Sequence, residues 1–190
     1  MSRTAALPRL LLLTDRSQLR LGRALVRTVE ECVRAGLRAV VVREHDLVPA
    51  SRAALVADLA AIDGLTVISS RVPDPAAHGL HLAADQPVCD GWFGRSCHSV
   101  ADVRRAAATG AAWATLSPYA PTPSKPGYGP PLPPGAYDDL PLPTYALGGI
   151  TPGRAAAARE AGAHGVAVMG AVMRAEEPAA VVADLVEVLG

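Results

Sequence analysis

Short apolar runs recur along the chain, and each is bounded by residues that favour turns. Runs of four or five apolar or β-branched residues between such turn formers predict buried strands. The runs predict strands at Leu10–Thr14, Ala39–Arg43, Thr66–Ser69, Gly79–Leu82, Trp92–Gly94, Trp113–Ser117, Thr144–Leu147 and Gly165–Met169. Because most of these strands are apolar throughout, we expect a parallel sheet that is covered by helices.

Helical patterns alternate with most of these strands. They lie at Leu21–Arg34, Ser51–Ala61, Val100–Ala108, Pro152–Ala161 and Pro178–Leu189, and they are cramped or absent after the third, fourth and sixth strands. Glycines at positions 36, 110 and 162 end three polar stretches, as helix C-termini favour. Alternating units of roughly 25 residues predict an α/β fold, a (β/α)8 TIM barrel, with an open doubly wound sheet as the alternative.

The composition indicates one globular domain. The chain has 190 residues, of which 50% are hydrophobic and 19% charged, and its formal net charge is zero. We therefore expect a single domain over residues 1–190, with no global attraction for nucleic acid or for a membrane surface. No run approaches the roughly 18 apolar residues of a membrane helix, and the three cysteines form no CxxC pair. A cytoplasmic protein with a small ligand is the expectation.

The segment from residue 118 to residue 143 interrupts the alternation because it is rich in proline. Such a composition excludes a helix or a central strand, so we expect a long loop at the carboxyl ends of the barrel strands. The loop contains Lys125, the only lysine in the chain, together with Thr122 and Ser124. Two hydroxyls and an ammonium can hold phosphate oxygens, whereas a merely proline-stiffened connection would hold nothing.

A second candidate for anion binding follows the seventh and eighth strands. Gly148 and Gly149 allow the main chain to approach a ligand closely, and Thr151 and Pro152 suit the start of a helix. Gly170 begins a similar turn of small residues after the eighth strand. The loops after strands seven and eight of such barrels frequently bind phosphate, although a tight strand-to-helix turn would also use glycine.

Polar side chains at other strand ends are candidates for chemistry. Arg43 and His45 alternate after the second strand, so we expect them to share an orientation, and Ser96 and His98 are expected after the fifth strand. Imidazole titrates near neutral pH, which makes His45 and His98 candidates for acid–base catalysis. His81 lies between two leucines and is expected to be a core histidine.

Taken in order, these motifs resemble those of the thiamine phosphate synthase and TenI family over almost the whole chain. The matching phrases are Leu13-Thr14-Asp15-Arg16, Arg43-Glu44, Gly79-Leu80-His81-Leu82, Gly94-Arg95-Ser96-Cys97-His98-Ser99, Pro121-Thr122-Pro123-Ser124-Lys125, Leu147-Gly148-Gly149-Ile150-Thr151 and Gly165-Val166-Ala167-Val168-Met169. The resemblance implies a (β/α)8 barrel. Synthases of this family join a thiazole phosphate to a hydroxymethylpyrimidine pyrophosphate with Mg²⁺ and release pyrophosphate.

The resemblance also implies which residues bind substrate. Those that match the family's thiazole-phosphate site and its phosphate loop are Gly148, Gly149, Gly170, Thr122, Ser124 and Lys125, and those that match its pyrophosphate site are Arg43 and Ser96. Lys125 would also be a catalytic group.

The metal half of the family's site is altered. Ser69 and Ser70 stand where the synthases have an asparagine and a magnesium-binding aspartate. Gln86 stands where they have a second such aspartate, with Asp85 one position earlier, and His45 replaces a lysine. Magnesium on a pyrophosphate is normally held by one or two carboxylates, so we expect no metal and no other cofactor.

This pattern resembles the TenI branch, in which a carboxythiazole phosphate is tautomerised without a metal. We therefore expect an isomerase that uses His98 or His45, because Pro118 replaces the branch's histidine after strand six. One alternative is a synthase in which Asp85 and phosphate oxygens hold Mg²⁺. Another is a protein that binds a thiamine precursor without turnover. In each case the ligand is a small phosphorylated heterocycle, and such a barrel could pair as a homodimer.

Overall fold

In the computed structural model, which describes residues 7–20, 22–122 and 129–190, eight parallel strands close into a barrel. Each strand pairs with the next along the chain, and β8 pairs with β1. The strands are β1 (Leu10–Leu13), β2 (Ala39–Val42), β3 (Thr66–Ser70), β4 (Gly79–Leu82), β5 (Phe93–Cys97), β6 (Trp113–Leu116), β7 (Thr144–Leu147) and β8 (Gly165–Val168). This α/β fold is a (β/α)8 TIM barrel, which confirms the prediction and excludes the open sheet.

The fifth strand departs most from its predicted bounds, since it runs from Phe93 to Cys97 and not from Trp92 to Gly94, whereas β1, β2, β3, β6 and β8 each end one residue away from the prediction. Because β5 continues to Cys97, Ser96 lies inside the strand and not after it. Gly94 of this strand pairs with Trp113, and a Cβ atom at Gly94 would lie 2.2 Å from the indole ring. Only glycine fits beside that ring, so the strand is interrupted by small and polar residues that a search for apolar runs does not find.

Alternate strand residues fill the inside of the barrel. The buried apolar members of this inner layer are Leu11, Leu13, Ala39, Val41, Ile68, Trp113, Tyr145 and Ala167. His81 stacks on the Trp113 ring, with centroids 5.1 Å apart, which confirms it as a core histidine. The Tyr145 hydroxyl donates to the carbonyl of Pro8 at 2.6 Å and so ties the segment before β1 to the barrel. The interior is therefore a packed core rather than a channel.

Helices cover the outside of the barrel. They are α1 (Leu25–Arg34), α2 (Pro49–Ala60), α3 (Val100–Ala108), α4 (Pro152–Glu160), α5 (Gly170–Met173) and α6 (Pro178–Leu189). Gly36, Gly110 and Gly162 follow α1, α3 and α4 with left-handed φ angles of 109°, 88° and 96°, as predicted for helix ends. The described residues after β3, β4 and β6 form no α-helix, which also agrees with the prediction.

The first helix begins later than predicted, at Leu25, because Ala24 before it has an extended backbone. The second begins earlier, at Pro49, since proline is well suited to a first helical turn. In the part of the chain that the structure describes, no helix is long and apolar enough to cross a membrane.

In the proline-rich segment after β6, the described residues 118–122 and 129–143 form no helix or strand, as predicted for a loop, and the segment begins at the carboxyl end of β6. Its first residues run beside the turn after β7, where Tyr119 and Ala120 donate their N–H groups to the carbonyls of Leu147 and Gly148 at 2.9 and 3.0 Å. Farther along, Tyr137 is buried, and its hydroxyl donates to a main-chain carbonyl at the end of β6 at 2.8 Å. The loop is thus attached to the barrel at both of these places.

Candidate active site

A cavity of about 510 Å³ opens at the carboxyl ends of the strands. The residues predicted for the site that line it are Arg43, Ser96, His98, Thr122, Gly148, Gly149 and Gly170. These residues are far apart in the sequence, and closure of the barrel brings them together. The cavity has the size of a small-molecule site.

Ser124 and Lys125 were predicted beside Thr122 as part of the same phosphate loop. Both belong to residues 123–128, which lie outside the described part of the chain. Their roles therefore stay predictions. Thr122, the last described residue before this segment, lines the cavity.

The turn after β7 consists of two glycines in left-handed conformations, with φ angles of 100° at Gly148 and 64° at Gly149. A Cβ atom on Gly149 would lie 2.5 Å from the carbonyl oxygen of Pro121 and 2.8 Å from Ala120. A side chain at this position is therefore excluded both by the backbone conformation and by the loop packed on the turn. The main chain of this turn is left open to the cavity.

Two arginines that the sequence analysis did not single out stand beside these turns. Arg154 on α4 donates from Nη1 to the carbonyl of Gly149 at 2.8 Å. Arg174, just after α5, packs its guanidinium where a Cβ atom of Gly170 would be, and it donates to Gln18 Oε1 at 2.5 Å. Both arginines line the cavity, so positive charge stands beside the glycine turns.

The start of α4 also borders the cavity. Thr151 is the N-cap residue, as predicted, but its side chain makes no cap hydrogen bond. The start of a helix favours a negative charge, and Thr151 itself lines the cavity. We call this part of the cavity the glycine end, and it comprises Thr122, Gly148, Gly149, Thr151, Arg154, Gly170 and Arg174.

The opposite part of the cavity lies over β2, β3 and β4, and we call it the arginine end. It comprises Arg43, Ser70, Arg71 and Asp85. Arg43 reaches past the end of β1, where its Nη1 lies 2.6 Å from Met169 Sδ at the end of β8. Arg71, which the sequence analysis did not single out, follows β3 with a left-handed φ of 63°. Two guanidinium groups thus stand with one carboxylate at this end.

His98 lies between the two ends, directly after β5. Its Nδ1 is 3.1 Å from Ser117 Oγ and 3.3 Å from the Ser117 carbonyl oxygen. Its main-chain N–H donates to Asp102 Oδ2 at 3.0 Å. Ring and main chain are both held, so the imidazole is oriented at the cavity wall, where a histidine can act as a general acid or base. Sequence reasoning missed Ser117, its ring partner.

His45 is placed differently from the prediction. The strand ends at Val42 and the chain turns at positions 45 and 46, so the strand alternation does not extend to His45, and only Arg43 of the two lines the cavity. His45 is exposed and is not part of the cavity lining, and its Nε2 lies 3.3 Å from Ser70 Oγ. Partial desolvation of the ring, together with nearby arginine charges, lowers the pKa of His45.

Two further groups near His98 are chemically quiet. Burial, reinforced by the charges of Arg43 and Arg71, lowers the pKa of His81 to about 3, so this imidazole is neutral at physiological pH. Its Nε2 lies 3.1 Å from Thr115 Oγ1. Burial raises the pKa of the Cys97 thiol to about 12, which makes that cysteine a packing residue.

The positions where the resemblance puts magnesium carboxylates do not suit a cation. Ser70 offers only a hydroxyl, and the Gln86 amide is engaged, because it donates to the carbonyl of Arg71 at 2.7 Å and accepts from the N–H of Ala83 at 3.2 Å. Asp85 is the one carboxylate among the described lining residues. No group of three or more histidine, cysteine, aspartate or glutamate side chains in the described residues could hold a metal. The residues present therefore do not fit the magnesium site of the synthases.

A closed (β/α)8 barrel with glycine turns and arginines around a cavity at its carboxyl face is typical of the class of barrels whose loops after strands seven and eight frequently bind phosphate. Within that class, the family can be stated. The family model described as thiamine monophosphate synthase, TMP-TENI, matches residues 10–172, and the chain belongs to this family of thiamine biosynthesis.

Several relatives support this assignment. The bifunctional thiamine biosynthesis protein ThiM/ThiE of Symbiobacterium thermophilum is 36% identical over 172 residues, which cover 80% of this chain and 36% of that protein. A putative thiamine-phosphate synthase of Geobacter sulfurreducens is 34% identical, with 89% of this chain and 88% of the relative covered. The thiamine-phosphate synthase of Roseiflexus castenholzii is 31% identical, with 87% and 82% covered.

A solved structure has the same fold. It is the thiamine phosphate pyrophosphorylase of Pyrococcus furiosus, which superimposes with a TM-score of 0.83 over 95% of each chain. Its sequence identity to this chain is 20%, so the match supports the barrel fold and says nothing about the reaction.

Proposed function

We propose that the chain binds a thiazole phosphate and isomerises it by proton transfer, as a TenI-like tautomerase. The observation that carries this proposal is that the glycine end and the oriented imidazole of His98 share one cavity. A tautomerisation requires a site that holds the substrate and a group that moves its proton. It does not require the two magnesium carboxylates that this chain lacks.

In this proposal the glycine end fixes the substrate. The polar groups that line this end and suit phosphate oxygens are the main chain of the glycine turns, the hydroxyls of Thr122 and Thr151, and the guanidinium groups of Arg154 and Arg174. Lys125, three residues after Thr122 in the sequence, adds a further cation to the same phosphate. The heterocycle then occupies the remaining part of the cavity, beside His98.

His98 acts as the acid and the base. Its imidazole takes a proton from one position of the heterocycle and returns a proton to another, so the composition and charge of the substrate do not change. Ser117 at Nδ1 orients the ring for this transfer. His81 stays neutral because of its lowered pKa and serves as an uncharged aromatic wall of the site.

The test is a proton NMR time course with carboxythiazole phosphate and purified protein in EDTA. We expect conversion without metal, and we expect His98→Gln to abolish it while leaving substrate binding within about threefold. His45→Gln is the matched control, because His45 is exposed and outside the cavity lining. Conversion that survives His98→Gln and is lost in His45→Gln would reassign the acid–base role. Broadened ligand resonances without conversion in any condition would make the protein a binder.

A second candidate is the synthase reaction, which the names of the relatives favour. Arg43 and Ser96 in the same cavity are the residues that match the family's pyrophosphate site. This candidate predicts thiamine phosphate only after Mg²⁺ and pyrimidine pyrophosphate are added to the same NMR sample. It also predicts that Lys125→Ala abolishes the release of pyrophosphate.

A further inference from the structure

A buried arginine stands behind the arginine end of the cavity. Arg52 on α2 is only 5% exposed, and its Nη2 donates to the carbonyl of Val42, to Ser69 Oγ and to the carbonyl of Ser70 at 3.0, 3.0 and 3.2 Å. Its Nε has no hydrogen-bond partner among the described residues, and none of its contacts is a carboxylate. The carboxylates of Asp74 and Glu44 act on Arg52 only from beyond ion-pair distance, so its positive charge lies next to the ends of β2 and β3 without a direct counterion among the described residues.

Arg71 is held at the cavity in a backbone conformation that side chains rarely adopt. Its φ is 63°, its N–H donates to the carbonyl of His81 at 2.9 Å, and its own carbonyl accepts from Gln86 Nε2 at 2.7 Å. Gln86 is the position where the resemblance puts a magnesium aspartate. A strained residue fixed from two sides at a cavity suggests a function for its side chain.

The Arg71 guanidinium has no side-chain partner among the described residues. In the described ranges it makes no ion pair and no hydrogen bond to another side chain, although it lines the cavity. Arg43 lines the same end, and Asp85 is the only carboxylate there among the described residues. The charges of Arg43 and Arg71 both lower the pKa values of His81 and His45, so the two guanidinium groups act on the same small volume.

We propose that the arginine end is a metal-independent anion subsite, in which Arg43 and Arg71 bind an anionic oxygen group of the ligand directly. Arg52 contributes positive charge from behind the strand ends. The three guanidinium groups take the place of the cation and repel any divalent metal from this end. The anionic group is a carboxylate on the phosphorylated heterocycle or the diphosphate of a second substrate, since a paired guanidinium site suits both. That the ligand is a heterocycle rests on the proposed function, but the subsite itself does not.

The first test is calorimetric titration of the whole protein with inorganic pyrophosphate, in EDTA and then with Mg²⁺. We expect binding in EDTA, and an affinity that Mg²⁺ changes by less than about threefold. The titration is repeated in Gly149→Ala, in which the glycine end is blocked. Because Gly149→Ala can fold poorly, Arg154→Gln, which removes a charge from the same end, is titrated as well. Binding should persist in these variants. Binding that appears only with Mg²⁺, or no binding in any condition, would overturn the proposal.

The sharpest variant is Arg71→Gly. Glycine accepts the left-handed backbone at this position, so the melting temperature should stay or rise, while pyrophosphate affinity should fall by about tenfold or more with the loss of a charged hydrogen-bond donor. Arg104→Gln removes the same charge from an exposed position of α3 and is the matched control, with no change expected in either readout. A purely structural role for Arg71 would give unchanged affinity in Arg71→Gly, and that result would contradict the proposal.

The variant Asp85→Asn distinguishes an anion subsite from a metal site by whether it weakens or strengthens pyrophosphate binding. If Asp85 held a magnesium ion, its loss would weaken pyrophosphate binding. If the arginines bind the anion directly, removal of a neighbouring negative charge should leave binding unchanged or tighten it in EDTA. Weaker binding in Asp85→Asn, confined to samples with Mg²⁺, would therefore refute metal independence.

Two further titrations distinguish the sources of the anionic group. If it is a carboxylate, carboxythiazole phosphate should bind more tightly than thiazole phosphate, and Arg71→Gly should remove that difference. If it is a diphosphate, pyrophosphate should still bind when thiazole phosphate saturates the glycine end. Failure of both thiazole ligands to bind, with pyrophosphate binding retained, would reject the proposed function and leave the subsite standing.

Discussion

The two ends of the cavity are built by different means. The glycine end depends on main-chain geometry, because Gly148 and Gly149 have left-handed φ angles and the loop at Pro121 leaves no room for a Cβ. The arginine end depends on side chains, chiefly Arg43 and Arg71. A site made by the main chain is specified by the fold, whereas a site made by side chains can change its chemistry while the fold remains. The departures from the synthases at Ser70 and Gln86 lie at or beside the arginine end, although Arg43 at that end still matches the family.

The largest expected effect comes from breaking the glycine end. Gly149→Ala forces an alanine into a left-handed conformation and against the carbonyl of Pro121, so we expect a loss of about 1–3 kcal/mol in the free energy of unfolding. Because the turn must shift, affinity for inorganic phosphate or thiazole phosphate should fall by about tenfold or more. Urea unfolding and calorimetric titration measure the two effects.

Gly153→Ala is the control for that variant. Gly153 lies in α4, and no atom lies within 4 Å of the place that an alanine Cβ would take, so alanine should leave ligand affinity unchanged and raise helix stability by about 0.5–1 kcal/mol. Equal losses of affinity in both variants would show that the turn geometry of Gly149 is not what binds the phosphate.

The second prediction concerns acid sensitivity, which we assign chiefly to the buried His81, where the charges of the arginine end add to the effect of burial. His81 has a pKa of about 3 when folded and an ordinary value of 6.5, so the unfolded chain binds more protons between these values. The free energy of unfolding should therefore fall as the pH drops below 6.5, by up to about 1.4 kcal/mol per pH unit from this group. The lowered pKa values of His45 and His164 act in the same direction.

Urea unfolding at intervals between pH 6.5 and pH 5, above the range in which carboxylates titrate, checks this prediction. In His81→Asn the slope should be shallower than in the parent chain. An unchanged slope in that variant would remove His81 as the source and would assign the acid sensitivity to other groups.

The smallest expected effect concerns the N-cap residues of two helices, Ser99 of α3 and Thr151 of α4. Ser99 caps α3 through its side chain, which accepts from the N–H of Asp102, whereas Thr151 at α4 makes no such bond. Ser99→Ala should cost about 1 kcal/mol of stability, and Thr151→Ala less than about 0.5 kcal/mol. Thr151→Ala should instead reduce phosphate affinity a few-fold. Equal stability losses, with phosphate affinity intact, would mean that Thr151 is only a cap.

The fold was predictable because its signals are local. Apolar runs, polar helices and glycines such as Gly36 at helix ends each report on a few neighbouring residues, and together they specify an eightfold alternation. The error at β5 has a tertiary cause, since Gly94 is required by the Trp113 ring across the barrel. A search along the chain cannot register a partner that lies on the next strand.

The candidate site was predictable only in part, for the same reason. Gly148 and Gly149 were found because paired glycines after a strand indicate a tight turn whose main chain can approach a ligand closely. Arg71 and Arg154 were missed because a single arginine in an arginine-rich chain carries no local signal, and only barrel closure brings them to the cavity. Closer attention to the residue after each strand end would have found Arg71, which directly follows β3.

The packed interior has a consequence for the traffic of ligands. Trp113, His81 and Tyr145 fill the barrel below the cavity, so in the described part of the chain the axis offers no exit. Substrate and product must therefore enter and leave through the same opening, the mouth of the cavity at the carboxyl ends of the strands. If two molecules occupy the site together, the one nearer the mouth must leave first. Release is then ordered, in the reverse of the order of binding.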